Sequence, residues 1–401
     1  MPDLNLLAII KFWWLIPLIL CVAGLFLSLW TVIPAPTFFL LTFGVGAPEV
    51  SPWLIVINAI ALSLAFTVHK SWLSNFILFC SVIALNLSLL PLLQLPAANK
   101  RFSGEMERVL GVDYLAKIPQ DLQQQMRPQP FAIADVFRGI SVTEVRIERG
   151  IVFAKPDEVE LKLNVYRPLA LGKNPTLVVI YGGAWRSGSP DNYEQFSSYI
   201  AAQGYTVINI DYRHAPKYQF PTQLEDVNTA LQYIQSNADN LEVDTNRMSI
   251  MGRSAGGHLA TLAAYQPDAI DFRSVVSYYS PSNLVEGYYD PPVPNPINTK
   301  TVLKNFLGGT PEELPELYRQ ASPIQYPKPN LPPTLLIYGK RDHLVQAKFG
   351  RQLYDKLLAT DNRAIWLGVP WAEHAFDIVF SGVSNQLALY YTERFLALTL
   401  L

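Results

Sequence analysis

The chain has 401 residues, with 31 Lys and Arg against 33 Asp and Glu and a formal net charge of −2, so it lacks the basic footprint that nucleic-acid binding requires. Its length exceeds one ordinary core, and two unlike regions are expected. Hydrophobic residues make up 50% and charged residues 16%, well under the roughly 25% charged of a typical soluble domain.

The shortfall in charge sits in the first hundred residues. Residues 12–33 carry no charge and are about as long as the ~20 residues needed to cross a bilayer. Trp13, Trp14 and Trp30 lie near the ends of that run, where aromatic rings favour the membrane interface. Residues 53–68 and 72–95 form two further apolar runs, and the turn at His69-Lys70-Ser71 is short enough only for a hairpin. The shorter apolar piece 36–46 can extend a span, lie in the interface or re-enter the membrane. Residues 1–98 are therefore read as a bundle of about three transmembrane helices, with the bilayer as a partner.

Other readings of this region are a signal peptide, buried soluble helices or a transporter. The first run is longer than a signal peptide's apolar core, and two more follow it. A transporter places ionisable groups at mid-membrane, whereas these runs offer Asn58, Asn86, Ser63 and a few hydroxyls. Lys11 and Lys70 favour a cytoplasmic N-terminus, while Lys100, Arg101 and Arg108 vote the other way. The loop charges thus leave open which side carries the C-terminal region.

Residues 99–140 read as a structured linker, polar and mixed in charge. Within it, 104–118 has the spacing of an amphipathic helix, with Met106, Val109, Leu110, Tyr114 and Leu115 near one face. From 141 to the end the texture alternates. Residues 143–153 and 159–166 predict an antiparallel pair, and 176–180, 205–210, 248–251, 275–279, 334–338 and 365–369 predict buried strands. Helices are expected over 224–234, 255–264, 347–358 and from 383 onward. Such alternation makes an α/β fold, a mostly parallel sheet flanked by helices, with ligands bound at the carboxyl ends of the strands.

Gly252-Arg253-Ser254-Ala255-Gly256 matches G-x-S-x-G between a predicted strand and a predicted helix, the context of a nucleophile elbow. The two glycines are needed because a Cβ at either would collide with neighbouring chain. Gly182-Gly183 follows another strand, where backbone N–H groups can turn toward a developing oxyanion; Gly182, Gly183, Ala184 and Ala255 are the candidate residues, with the N–H groups of Gly183, Ala184 and Ala255 as donors. Five histidines are available as base. His69 is at the membrane, His214 reads as structural, His258 as buried or capping, and His343 adjoins the expected acid. His374 remains, just past a strand. Asp342 is the expected acid, with Asp377 weaker because it is so close to His374 in sequence. The order Ser254, Asp342, His374 is that of a triad on this kind of sheet.

The segments YGGAW, DYRHAP, FPTQLEDV, GRSAGGHLA, PPTLLIYGKRD and EHAF, spread over 177–376, together resemble the α/β-hydrolases of the hormone-sensitive-lipase and carboxylesterase type, as in a BD-FAE-like serine esterase. The resemblance implies esterase, lipase or related deacylase activity without a cofactor, in a group that extends to membrane-bound isoprenylcysteine methylesterases and arylformamidases. Tyr181 stands where that family usually has His, and Arg253 at a position often acidic in the lipase branch. Asp211, Arg213 and Asp226 match family positions and read as structural.

Residues 282–333 read as a lid or cap insertion, from which Tyr288, Tyr289 and Phe306, with Trp185, are candidates for an apolar substrate pocket. The expected function is cleavage of a small-molecule or lipid carboxylic ester through an acyl-enzyme on Ser254. The alternatives are acyl transfer with the same triad, or a non-catalytic binding protein that keeps the fold. No metal is expected, since there is no HExxH, no paired Cys/His spacing, and only Cys21 and Cys80 as thiols.

Overall fold

The computed structural model describes residues 12–69 and 71–400; Lys11 and Lys70, counted above for orientation, lie outside them. Four helices open the described chain: α1 (Leu15–Leu29), α2 (Phe38–Glu49), α3 (Ser51–Ala65) and α4 (Ser71–Leu110). Two short helices, α5 (Gln120–Gln125) and α6 (Ile133–Arg138), lead to an eight-stranded sheet. Its strands are β1 (Arg146–Ala154), β2 (Leu161–Arg167), β3 (Asn174–Ile180), β4 (Thr206–Ile210), β5 (Val243–Arg253), β6 (Ser274–Tyr278), β7 (Thr334–Gly339) and β8 (Ala364–Val369). The connections carry α7 (Glu194–Ala201), α8 (Thr222–Ser236), α9 (Ala238–Leu241), α10 (Ala255–Tyr265), α11 (Leu284–Tyr289), α12 (Thr299–Leu307), α13 (Pro315–Gln320) and α14 (Ala347–Ala359), and α15 (Val383–Thr399) follows β8.

The spatial order is β1-β2-β4-β3-β5-β6-β7-β8. β2 pairs antiparallel with β1 and β4, and the strands from β4 to β8 are parallel. Leu177 to Ile180, Val275, Val276 and Leu335 to Ile337 are buried, as strands covered on both faces require. After β3 the chain turns to β4 on one side and then returns to β5 on the other, so strand order reverses at β3. That reversal opens a crevice at the carboxyl ends, where ligands of such sheets bind. Ile180 is in register with Gly252, and Gly339 with Val369. The loops after β3 and β5 therefore leave the sheet side by side, as do those after β7 and β8.

The N-terminal helices depart from three separate straight spans. α4 is one 40-residue helix, about 60 Å long at 1.5 Å per residue. It is long and apolar enough to cross a membrane, and α2 with α3 would pass the same test only as one span bent by 84°. The bend falls at Val50, between Pro48 and Pro52, whose missing N–H groups favour a new helix start there. α1 has 15 residues. No separate helix covers 104–118: α4 runs across the boundary expected near residue 98 and ends at Leu110, followed by a single 3-10 turn over Tyr114–Lys117.

The reason is that the apolar run ends before the helix does. Leu73, Ile77 and Cys80 of α4 pack with Cys21 of α1 and Ala61 and Ala65 of α3, whereas Ala98, Phe102 and Met106 belong to the core of the sheet domain. Phe102 meets the Tyr391 ring of α15 edge-on at 5.6 Å, and the Tyr391 hydroxyl donates to Asn99 Oδ1 at 2.5 Å. Arg108 donates to Tyr354 Oη and to the Ala364 carbonyl, so it is a packed residue of the domain and not a free flanking charge. Inside the helix cluster the buried Asn58 donates to Ser28 Oγ at 3.0 Å and reaches Ser88 Oγ at 3.4 Å, tying α3 to α1 and α4 where water is scarce.

Phe102→Ala is expected to destabilise the sheet domain by about 3–5 kcal/mol, the usual cost of emptying a buried phenylalanine site. Thermal or denaturant unfolding checks this, and an unaltered midpoint would detach α4 from the domain core.

Candidate active site

The elbow is built by steric demand. Ser254 sits at φ 52° and ψ −122°, a conformation that L-residues avoid and functional sites retain. A Cβ on Gly252 would lie 2.1 Å from the Gly256 carbonyl oxygen, and one on Gly256 would lie 2.2 Å from that of Ile180. Only glycine at both places lets β5 turn into α10 against the end of β3, with the serine hydroxyl projecting above the sheet.

Three side chains from three loops meet there. His374 Nε2 is 2.9 Å from Ser254 Oγ, and His374 Nδ1 is 2.7 Å from Asp342 Oδ2. The other Asp342 oxygen accepts from the backbone N–H groups of Leu344 and Val345 at 2.8 and 2.7 Å. Burial raises the Asp342 carboxyl above its ordinary range, while the facing imidazole and these N–H groups oppose that. Asp377 does not reach His374's ring nitrogens; it accepts from Arg253 Nε and from the Tyr279 hydroxyl.

Gly182, Gly183, Ala184 and Ala255 line the same cavity as Ser254 and His374. Gly183 is at φ +135°, and a Cβ on it would lie 1.9 Å from the Ser187 carbonyl oxygen, so this turn requires glycine. Tyr181 anchors the loop. Its hydroxyl donates to Asp211 Oδ1 at 2.5 Å and lies 2.9 Å from His214 Nε2, with its ring stacked on Tyr212. Arg213 makes a two-pronged contact to Asp226 of α8 and a further one to Asp157.

The cavity has a volume of about 620 Å³, within the ~300–1,000 Å³ typical of sites for small organic ligands. Trp185 lines it; Tyr288, Tyr289 and Phe306 do not. Phe306 is fully buried and stacks on Trp185 with centroids 4.0 Å apart, holding that ring from behind. Tyr288 packs edge-on to Tyr318, and Tyr289 is half exposed with its hydroxyl on Glu312. Tyr288 thus serves packing within the insertion, while Phe306 docks the insertion onto Trp185, Phe220 and His258 of the sheet domain.

Sequence reasoning missed a second set of residues. Glu373 is buried; its Oε1 accepts from the His343 N–H at 2.6 Å, and its Oε2 lies 2.6 Å from His343 Nδ1, joining the loops that carry Asp342 and His374. Arg253 is fully buried beneath the elbow, paired with Asp377 and flanked by the rings of Tyr193 and Phe196. Four helical residues at i, i+3, i+4 and i+7 of α2, Phe38, Leu41, Thr42 and Val45, also line the cavity. The apolar composition of 36–46 was visible, but not the surface it would meet.

Residues 163–357 match the BD-FAE family model. The chain is 32% identical to esterase LipC of Mycobacterium tuberculosis strain H37Rv over 247 residues, covering 58% of this chain and 61% of LipC. It is 29% identical to esterase LipQ of the same organism over 264 residues, covering 60% and 62%. The chain thus spans about three fifths of the length of these curated relatives. Among solved structures it is similar to a bacterial heroin esterase, with TM-score 0.57 and 22% identity over 71% of this chain and 99% of that one. It is also similar to an esterase from the archaeon Pyrobaculum calidifontis, with TM-score 0.56 and 23% identity over 69% and 96%. The sheet and its flanking helices have the α/β-hydrolase fold.

One buried group gives the site a pH signature. The Trp185 indole donates to His258 Nδ1 at 3.2 Å, so the imidazole proton is on Nε2, 2.6 Å from the Ala321 carbonyl oxygen. Burial pushes His258 down to about 4, from an unfolded value near 6.5. The fold favours the neutral ring, so its contribution is complete above pH ~6.5 and is lost progressively as pH falls toward ~4. Stability is expected to be roughly 2 kcal/mol lower at pH 5 than at pH 7 from this group. In His258→Gln the same interval should be flatter by that amount in unfolding experiments; an identical slope in both proteins would refute it.

Proposed function

We propose that the protein is a membrane-anchored serine hydrolase that cleaves a carboxylic ester through an acyl-enzyme on Ser254. The observation that carries this reading is the chain of hydrogen bonds from Ser254 Oγ through His374 to Asp342, opening onto an apolar cavity. In this mechanism Ser254 Oγ attacks the ester carbonyl carbon as His374 Nε2 takes its proton. The backbone N–H groups of Gly183, Ala184 and Ala255 receive the developing oxyanion. His374 then returns the proton to the departing alkoxide, and the alcohol leaves. Water, deprotonated by His374, attacks the acyl-enzyme; the acyl–Oγ bond breaks, the acid leaves and Ser254 regains its proton. Asp342 stays ionised, orients the ring and stabilises the imidazolium.

The relatives named as esterases support ester hydrolysis as the reaction class. The anchoring half of the proposal is supported by the surface of α1 to α4. Ile19, Phe26, Phe39, Val56, Phe66, Trp72 and Phe79 are large, apolar and exposed, as lipid-facing side chains are. α4 supplies the length to span, and Asn58, Ser28 and Ser88 supply hydrogen bonds between helices inside. On this reading the helices before Leu110 are an anchor continuous with the enzyme.

A fluorophosphonate probe should label the wild-type chain, and the label should vanish in Ser254→Ala. Labelling that persists in Ser254→Ala would place the nucleophile elsewhere. Ester turnover should fall about 10⁴-fold in Asp342→Asn, which keeps the packing but presents the wrong tautomer to Ser254. A loss below tenfold would remove Asp342 from the role.

A further inference from the structure

The cavity over Ser254 is not closed by the sheet domain alone. One wall is the stripe Phe38, Leu41, Thr42 and Val45 of α2, a helix of the N-terminal region. Leu41 and Val45 are buried, and they pack in a cluster with Ala35 and Leu344, two residues beyond Asp342. Polar anchors hold the N-terminal helices in this place. Glu49, at the end of α2 and fully buried, accepts from the Ser384 N–H at 2.7 Å in the first turn of α15. Arg341, next to Asp342, donates to the Thr31 carbonyl, and Trp53 Nε1 donates to the Val136 carbonyl at 3.1 Å.

The walls define what can be bound. Arg186 is the one Lys, Arg, Asp or Glu among the described lining residues, and Leu303, Val302 and Leu284 face the cavity from the insertion. The mouth is apolar as well. Phe38 is 63% exposed and Ile378 67% exposed while both line the cavity, and Phe39, beside Phe38, is 76% exposed on the outer face. Through Phe38 the apolar cavity wall continues into the exposed apolar surface of the N-terminal helices, and Thr42 is the one polar side chain that α2 adds to the lining. A soluble polar ester would leave this wall without partners, whereas a hydrocarbon chain would bury apolar area against it.

We infer that α2 forms a wall of the acyl-binding site, with Leu41 and Val45 as specificity-determining residues, and that the substrate is an ester of a medium or long aliphatic acid. This rests on the hydrolase reading and adds the substrate class. A chain of methylenes along Leu41 and Val45 would be worth about fourfold in kcat/KM for each one buried, up to the length of the cavity.

The full-length chain in lipid nanodiscs, assayed with p-nitrophenyl esters from acetate to dodecanoate, tests it. In the wild type the octanoyl-to-acetyl ratio of kcat/KM should be well above one. Leu41→Trp and Val45→Trp should lower that ratio at least about tenfold, chiefly through KM for the long ester, and Leu41→Ala should shift the optimum to longer chains. Phe39→Ala, on the outer face, should leave the ratio unaltered. Should a Trp variant fail to fold, the upward shift in Leu41→Ala carries the test. Fluorophosphonate labelling of Ser254 in every variant separates the two layers. Labelling intact with a ratio indifferent to Leu41 and Val45 would overturn the role of α2; a wild type that is not labelled at Ser254 would overturn the hydrolase reading as well.

Discussion

The close approach of two strand ends governs this site. Because Ile180 and Gly252 are in register on neighbouring parallel strands, the loops that follow them occupy one small volume. They fit only because glycine stands at 252, 256 and 183, where a Cβ would come within about 2.2 Å of a carbonyl oxygen. The strained backbone of Ser254 follows from that crowding, and with it the presentation of the hydroxyl above the sheet. A second registered pair, Gly339 with Val369, does the same for the loops of Asp342 and His374. The first adjacency sets Gly182 and Gly183 beside Ser254 and the second sets Asp342 beside His374, whose loop reaches across the strand ends to Ser254.

Position is then held by buried polar partners. Each Asp342 oxygen has its own partners, so the carboxylate cannot rotate away from the imidazole. Glu373 ties the Asp342 loop to the His374 loop through His343. Arg253, a cation at zero exposure, is compensated by Asp377 and by three aromatic faces. Asp377 also holds the hydroxyl of Tyr279, whose ring lies 4.6 Å from that of His374. The arginine at this position is therefore part of the scaffold beneath the base, and Trp185 is fixed in the same manner from the other side by His258 and Phe306.

The N-terminal region is bound into this arrangement. α4 passes without a break from a cluster of apolar helices into the core of the sheet domain, and α2 is pinned by Glu49 to α15, the helix after the His374 loop. The Glu49 hydrogen bond, the shared core and the shared cavity wall make the two regions one packed body.

Much of this was legible from the chain itself. Strand and helix alternation after residue 141, the elbow at 252–256, the Gly-Gly turn and the order Ser254, Asp342, His374 follow from local periodicity and from chemistry that tolerates few residue types. In the structure His374 lies within hydrogen-bond distance of both Ser254 and Asp342. What only the tertiary structure decided is which apolar surfaces meet. Tyr288, Tyr289 and Phe306 have the composition of a pocket yet stand outside the cavity, while Leu41 and Val45 have the composition of a membrane helix yet line it. Hydrophobic burial is non-directional, so an apolar side chain records that it will be covered but not by what. A glycine forced by a carbonyl 2 Å away, or a carboxylate that must accept two N–H groups, is directional, and such residues could be read before the fold was known.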